Sequence, residues 1–166
     1  LTIEEYLAHC AAIHWIEDKD IPAAVDKALG YCGLTHFRKR LIRNLSGGYQ
    51  QRVGIAQAII HDPEFVVLDE PTNGLDPNQI IEIRNLIKEI AQDRTVVIST
   101  HILSEVQAMC KYIRMIEEGQ LVFAGTVEDF DNYIQPNTIF VKLREAPDVS
   151  RFKEFPDIID AEDLGQ

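Results

Sequence analysis

Three absences narrow what this chain can be. No apolar stretch approaches the ~18 residues that a membrane-crossing helix needs, so any role at a membrane is expected to come through a partner. Basic residues are in the minority, 16 Lys and Arg against 27 Asp and Glu, for a net charge of −11. That balance argues against a nucleic-acid binder, which needs a basic face to release counterions from phosphates. Cysteine is scarce, and Cys10, Cys32 and Cys110 form no C-x-x-C pair. All three fall in stretches of helical periodicity, so a reduced cytosolic setting fits better than a disulfide scaffold. Internal repeats and low-complexity segments are also missing. The chain opens on Leu1-Thr2-Ile3-Glu4-Glu5 without Met, in mid-motif, and reads as a piece of a longer polypeptide.

The 166 residues, 46% of them apolar, suffice for one domain that buries roughly 70% of its unfolded surface. Thr2 and Glu5 form a capping box, with Leu1 placed to staple onto Tyr6. A first helix is therefore expected to carry Ile3, Leu7, Cys10, Ala11 and His14 on one side. Asp20-Ile21-Pro22 starts a second helix that turns Val25, Leu29 and Cys32 inward and stops at Gly33. The loop 35–44 holds the basic cluster Arg38, Lys39, Arg40 and Arg43, read as a solvated loop in preference to a contact for lipid head groups or an acidic partner. The next helix starts at Ser46, offers Val53, Ala56, Ile59 and Ile60, and ends at His61-Asp62-Pro63.

Phe65 to Leu68 is apolar without alternation, as expected of a parallel strand covered on both faces. Asp76-Pro77 caps and starts another helix, with Gln79 completing a capping box and Ile80, Ile83, Ile87 and Ile90 at helical spacing. Thr95 to Ser99 is a second apolar strand, and Ile102, Val106, Met109 and Ile113 predict a helix behind it. Strand, helix, strand, helix makes the fold class α/β. Tyr112 to Ile116 and Gln120 to Phe123 predict an antiparallel hairpin at the sheet edge. Thr126 with Asp129 opens a short helix, Thr138 to Leu143 reads as a strand, and the acidic tail from Ala146 reads as an extension without a chemical role.

Two stretches carry chemistry. In Leu45-Ser46-Gly47-Gly48-Tyr49-Gln50-Gln51-Arg52, a serine and two glycines open a helix. Hydroxyl, bare backbone amides and the positive end of the helix dipole converge there on one anion-sized spot. In Phe65-Val66-Val67-Leu68-Asp69-Glu70, an apolar strand ends in adjacent carboxylates, at the edge where open α/β sheets bind ligands and where a magnesium ion and a water nucleophile would be at home. Taken singly, Ser-Gly-Gly is an ordinary cap and Asp-Glu a pair of solvated acids. Their order, with Pro71-Thr72-Asn73-Gly74-Leu75-Asp76 and Ser99-Thr100-His101 downstream, closely resembles the nucleotide-binding subunit of ABC transporters.

That resemblance spans about residues 1 to 134 and implies a partial ABC ATPase domain of the P-loop NTPase type. Residues 1–62 would form a helical subdomain with the signature motif. Residues 63–134 would run from the Asp-Glu strand through the histidine loop to the end of the core. Residues 135–166 would be a small C-terminal α+β extension. The resemblance implies that Asp69 holds Mg²⁺ through its water shell, that Glu70 is the general base for water, and that His101 bridges the γ-phosphate and Glu70. Ser46, Gly47 and Gly48 would close over the γ-phosphate of an ATP seated on a second ATPase subunit, in a head-to-tail dimer. Asp76 would belong to the loop that signals to the opposite site. Tyr49 stands where the family usually has Gln, so a ribose contact does not carry over. Cys10 with His14 is read as packing rather than a metal site.

A P-loop needs G-x-x-x-x-G-K-[ST] to cradle phosphates, and no Gly-Lys pair occurs in these residues. The family places that loop before the helical subdomain, so the chain as it stands is expected neither to bind ATP tightly nor to turn it over, and Phe65 to Leu68 and Thr95 to Ser99 are expected to leave apolar surface or strand edges uncovered and to favour self-association. The implied function is the ATP-hydrolysing subunit of an ABC transporter, cytoplasmic and peripheral on the inner face of the cell membrane, driving a separate integral-membrane permease. Leu1 to Leu7 and the stretch Glu118 to Thr126 most resemble exporters of the sodium-extrusion, drug-resistance and gliding-motility type. The alternatives are a soluble ABC ATPase of DNA repair or translation, and a non-catalytic interaction module.

Overall fold

In the computed structural model, residues 1–133 and Ile158 are described. The chain divides into two compact units, residues 1–130 and residues 131–166. The expected strand at 138–143 and the tail from 146 lie outside the described residues.

Helix α1 (Ile3–Ile13) begins with the full reciprocal capping box of Thr2 and Glu5. Its start is stitched to the basic loop: Ile3 and Glu4 donate their N–H groups to the carbonyls of Arg40 and Arg38, and Thr2 bridges Leu41. Arg38 is therefore not simply solvated. Its guanidinium forks onto Glu4 at 3.0 and 3.2 Å and reaches Asp26 at 3.1 Å. Helix α2 (Ile21–Tyr31) has Pro22 in its first turn and is followed by Gly33 at φ 66°, a backbone state that glycine adopts without a Cβ penalty. Helix α3 (Gly47–Ile59) completes the helical layer, and Asp62 at φ 54° helps turn the chain after it.

Strand β1 (Phe65–Asp69), helix α4 (Pro77–Ile90) and strand β2 (Thr95–Ser99) form a βαβ unit, with β1 and β2 parallel in the register Phe65↔Thr95 to Asp69↔Ser99. One apolar cluster unites these parts. Ile3, Leu7 and Ala11 of α1, Val25 and Leu29 of α2, and Val53, Ile55 and Ile59 of α3 share it with Val66, Leu68, Ile83, Leu86, Ile87 and Ile90. Each fully buried side chain of that size contributes roughly 1.5–3 kcal/mol relative to leaving it in water. Cys10 and Cys32 belong to the cluster, and burial pushes the Cys32 thiol up to about 12. All three cysteines are free.

Several local expectations fail for physical reasons. β1 buries only alternate residues. Phe65 and Val67 are 55% and 61% exposed on the other face, and Val97 of β2 is 45% exposed. Within this chain the strand is thus covered on one face only. His14 is exposed at the end of α1 and stacks on His61 at 3.8 Å between ring centroids. It therefore shares no ligand geometry with buried Cys10. Helix α5 (Leu103–Met109) stops before Ile113, which is buried in strand β3 (Tyr112–Glu117) instead. β3 pairs with β4 (Gln120–Thr126) in a separate two-stranded antiparallel sheet, not along the edge of β1 and β2. Its tight turn places Glu118 and Gly119 at φ 48° and 78°, the left-handed pair such hairpins require. Thr126 and Asp129 cap α6 (Val127–Tyr133) as expected, with three mutual hydrogen bonds.

Candidate active site

At the carboxyl end of β1 the chain leaves the sheet under strain. Glu70 adopts φ 44°, a left-handed state that costs a non-glycine residue of order 1–3 kcal/mol and persists only where the surroundings enforce it. The enforcement is visible: Glu70 N–H donates to the Ser99 carbonyl at 2.9 Å, and its own carbonyl accepts from Asn73 N–H at 3.1 Å. The side chain meets the imidazole of His101, Nδ1 to Oε1, at 2.8 Å. This hydrogen bond, reinforced by the carboxylate's charge, holds the His101 pKa above its ordinary value, and Glu105 adds a smaller push. The second carboxylate oxygen of Glu70, Oε2, is buried without a partner.

Asp69, one residue earlier, lies exposed at the strand end, and its Oδ1 accepts from the Ser99 hydroxyl, its register partner on β2. No group of three or more His, Cys, Asp or Glu among the described residues could cage a metal. Mg²⁺ is characteristically held by one or two carboxylates together with waters and substrate phosphates. The lone hard carboxylate of Asp69 fits that ion alongside a phosphate ligand, and does not fit a structural metal.

The N-terminus of α3 supplies anion-binding groups. Ser46 occupies the cap position with extended backbone, φ −65° and ψ 160°, yet its hydroxyl makes no capping bond. The expected side-chain cap is thus absent and the hydroxyl is left free. Gln50 is the first residue to donate back into the turn, to the Ser46 carbonyl at 2.9 Å, so the preceding amides, including Gly47 and Gly48, have no intrahelical acceptor.

This helix end rests on the start of α4. A Cβ at Gly47 would lie 3.5 Å from Leu75 Cδ2, and one at Gly48 only 2.9 Å from Gln79 Cδ. Asp76 accepts from the N–H groups of Asn78 and Gln79, each at 3.0 Å. Only half of the anticipated capping box forms, because the Gln79 side chain lies over Gly48.

The seven residues named from sequence thus fall into two groups. Asp69, Glu70 and His101 meet at the sheet end; Ser46, Gly47 and Gly48 meet the Leu75–Gln79 segment that Asp76 caps. Among the described residues no hydrogen bond or ion pair joins the two groups. Sequence reasoning passed over Ser99 and Gln79 as partners. Ser99 was legible only through the strand register, and Gln79 had a plausible local role that masked its tertiary one.

The family profile described as "ABC transporter" matches residues 2–73. The bacitracin transport ATP-binding protein BcrA of Bacillus licheniformis is 45% identical over 124 residues, 74% of this chain and 40% of the relative. The chain belongs to the ABC transporter ATP-binding family. The methionine import ATP-binding protein MetN 1 of Acinetobacter baylyi is 36% identical over 140 residues, 82% of this chain and 39% of the relative. Among solved structures, cbiO1 of Clostridium perfringens, part of the ABC transporter complex cbiONQ, superposes with a TM-score of 0.71 at 28% identity, over 79% of this chain and 53% of that one. The fold is accordingly the P-loop NTPase-like α/β fold of ABC ATPases, in part. This ABC ATP-binding chain spans about two fifths of the length of these two curated relatives. No described helix is long and apolar enough to cross a membrane.

Proposed function

We propose that these residues form the signature-helix and water-activating part of an ATPase subunit that hydrolyses ATP to ADP and phosphate and so drives a separate membrane permease. The observation that carries the reading is the 2.8 Å contact between Glu70 and His101 beside the orphaned Glu70 Oε2. Glu70 takes a proton from water as the water oxygen attacks the γ-phosphorus, and the bond to the bridging oxygen breaks with its electron pair leaving on ADP. His101, bonded to Glu70, holds the carboxylate in place and faces the γ-phosphate. Asp69 is the residue to hold Mg²⁺, which neutralises charge on the phosphates when bound.

The free hydroxyl of Ser46 and the unpaired amides of Gly47 and Gly48 suit a γ-phosphate presented by a second subunit. Their separation from the Glu70 group supports a head-to-tail dimer in which each site draws on two chains. Asp76, which caps the α4 segment that the α3 N-terminus rests on, is the residue to which we assign the relay of closure from one site to the other. With no Gly-Lys pair in the chain, the phosphate cradle comes from residues outside these 166. We read the transporter as an exporter on the resemblance of Leu1 to Leu7 and Glu118 to Thr126 to exporters, with the subunit docked on the cytoplasmic face of its permease. An importer is the second reading, favoured by the 36% identity to a methionine import protein.

The test is Glu70→Gln in the gene product that carries these residues. Turnover should fall by about 10²–10⁴-fold, the usual weight of a general base, while ATP-bound dimers accumulate on size-exclusion chromatography. Undiminished turnover would remove Glu70 from the mechanism.

A further inference from the structure

Outright burial of polar side chains is confined, among the described residues, to Thr72 and Glu105, 2% and 1% exposed, and these two touch each other. Thr72 Oγ1 donates to Glu105 Oε2. Arg84 of α4 approaches the other oxygen, Oε1, at 3.8 Å. A carboxyl group so placed carries a desolvation cost that an apolar pair of similar volume would avoid. Packing therefore gives no reason for it.

The positions of the pair along the chain give one. Thr72 follows Glu70 by two residues, and its carbonyl accepts from Leu75 N–H at 3.3 Å, closing the turn that leads to Asp76. Glu105 lies on α5, four residues after His101, and its N–H is fixed to the Ile102 carbonyl at 3.0 Å. Beyond the strand pairing and the Glu70 N–H bond to the Ser99 carbonyl, the Glu70 segment and the His101 segment are thus tied by two side-chain bonds, the Glu70–His101 contact itself and a buried one. The exposed tie competes with water. The buried one does not, and a hydrogen bond shielded from water resists opening more strongly.

We propose that Thr72 and Glu105 are positioning residues for the hydrolytic step, their buried bond fixing the Glu70 carboxylate against the His101 imidazole with Arg84 as the countercharge. The inference rests on Glu70 acting as the base. A small displacement of a base from its water lowers the chemical step and leaves ground-state binding intact.

In the complete gene product, Thr72→Val, which keeps the shape and removes the hydroxyl, should lower kcat about tenfold or more with KM for ATP nearly unchanged. Thr72→Ser, which keeps the hydroxyl, should restore it. Glu105→Asp, which withdraws the carboxyl by one methylene and retains its charge, should reproduce the loss if the valine variant fails to fold. Unaltered kcat in Thr72→Val or Glu105→Asp, or loss of activity in Thr72→Ser equal to that in the valine variant, would overturn the proposal.

A second measurement separates this inference from the functional reading. The His101 imidazole, titrated by NMR, should shift its midpoint downward in Thr72→Val as its contact with Glu70 loosens. If the wild-type gene product hydrolyses no ATP, the functional reading falls while that downward shift keeps the tie standing. An unmoved midpoint removes the tie whatever the enzyme does.

Discussion

His101 Nδ1 and Glu70 Oε1 lie 2.8 Å apart although 31 residues separate them in the chain. The contact follows from the parallel register. Asp69 pairs with Ser99, so the residues immediately beyond each strand end emerge side by side at one sheet edge. The strained backbone of Glu70, with its N–H bonded to Ser99, fixes the carboxylate end of the contact.

This contact makes the site pH-dependent, with a definite sign. Glu70 raises the His101 pKa, so the stabilisation is fully present below the unfolded value of about 6.5 and is lost as pH climbs through the raised folded value. Following the imidazole Hε1 resonance against pH should give a midpoint above that of a free histidine, and Glu70→Gln should bring it down. If the two proteins titrate alike, Glu70 is not the cause of the shift.

The uncovered face of β1 and β2 predicts association. Phe65, Val67 and Val97 are all about half exposed or more, on neighbouring parallel strands, and a contiguous apolar patch on a sheet with open edges recruits another surface. Light scattering of the 166-residue chain should show a mass that rises with concentration, and Phe65→Thr with Val67→Thr should reduce it. A monomer throughout the accessible concentration range would contradict this.

How far the sequence discloses the fold depends on the range of the interaction that decides each feature. Caps and turns are set by neighbours in the chain, so Thr2 with Glu5, Asp76 with Pro77, Gly33, and Thr126 with Asp129 were all legible. Helical faces were nearly as clear. The failures came where distant groups compete. The apolar run Phe65 to Leu68 looks the same whether one face or both is covered, and only packing of the helices on Val66 and Leu68 decides the matter. Ile113 continues the helical spacing of α5, yet pairing with β4 draws it into a strand. The Asp69, Glu70 and His101 grouping was anticipated because motif order implied it. The tie between Thr72 and Glu105 was invisible, since a glutamate on a short helix reads as a solvated residue until the fold encloses it.

Asp76 has a structural task that can be separated from any role across a dimer. Its carboxylate accepts from two N–H groups of the first turn of α4, and Ala in place of such a cap typically costs about 1 kcal/mol. Asp76→Ala should therefore lower the denaturation midpoint of the chain, while Asp76→Asn, which keeps an acceptor oxygen, should leave it nearly unchanged. Equal destabilisation by both would mean that charge, rather than the cap bond, matters there.

The division of groups across the molecule bears directly on ATP affinity. Tight binding of a triphosphate in this class of fold draws on a lysine and a run of amides that wrap the β- and γ-phosphates, and no Gly-Lys pair is available here. What the chain offers is one acidic strand end and one helix N-terminus. Asp69 and Glu70 would repel a bare triphosphate, and on the proposed reading the α3 amides with Ser46 would meet only its tip. The net charge of −11 disfavours a polyanion further, since unscreened like charges act over roughly 10 Å at 0.1 M salt. Isothermal titration calorimetry of the 166-residue chain with MgATP should accordingly register no micromolar binding, and no phosphate should be released on incubation. A dissociation constant in the micromolar range would mean that these residues build a phosphate cradle of their own, and the assignment of Ser46, Gly47 and Gly48 to a neighbour's nucleotide would have to be abandoned.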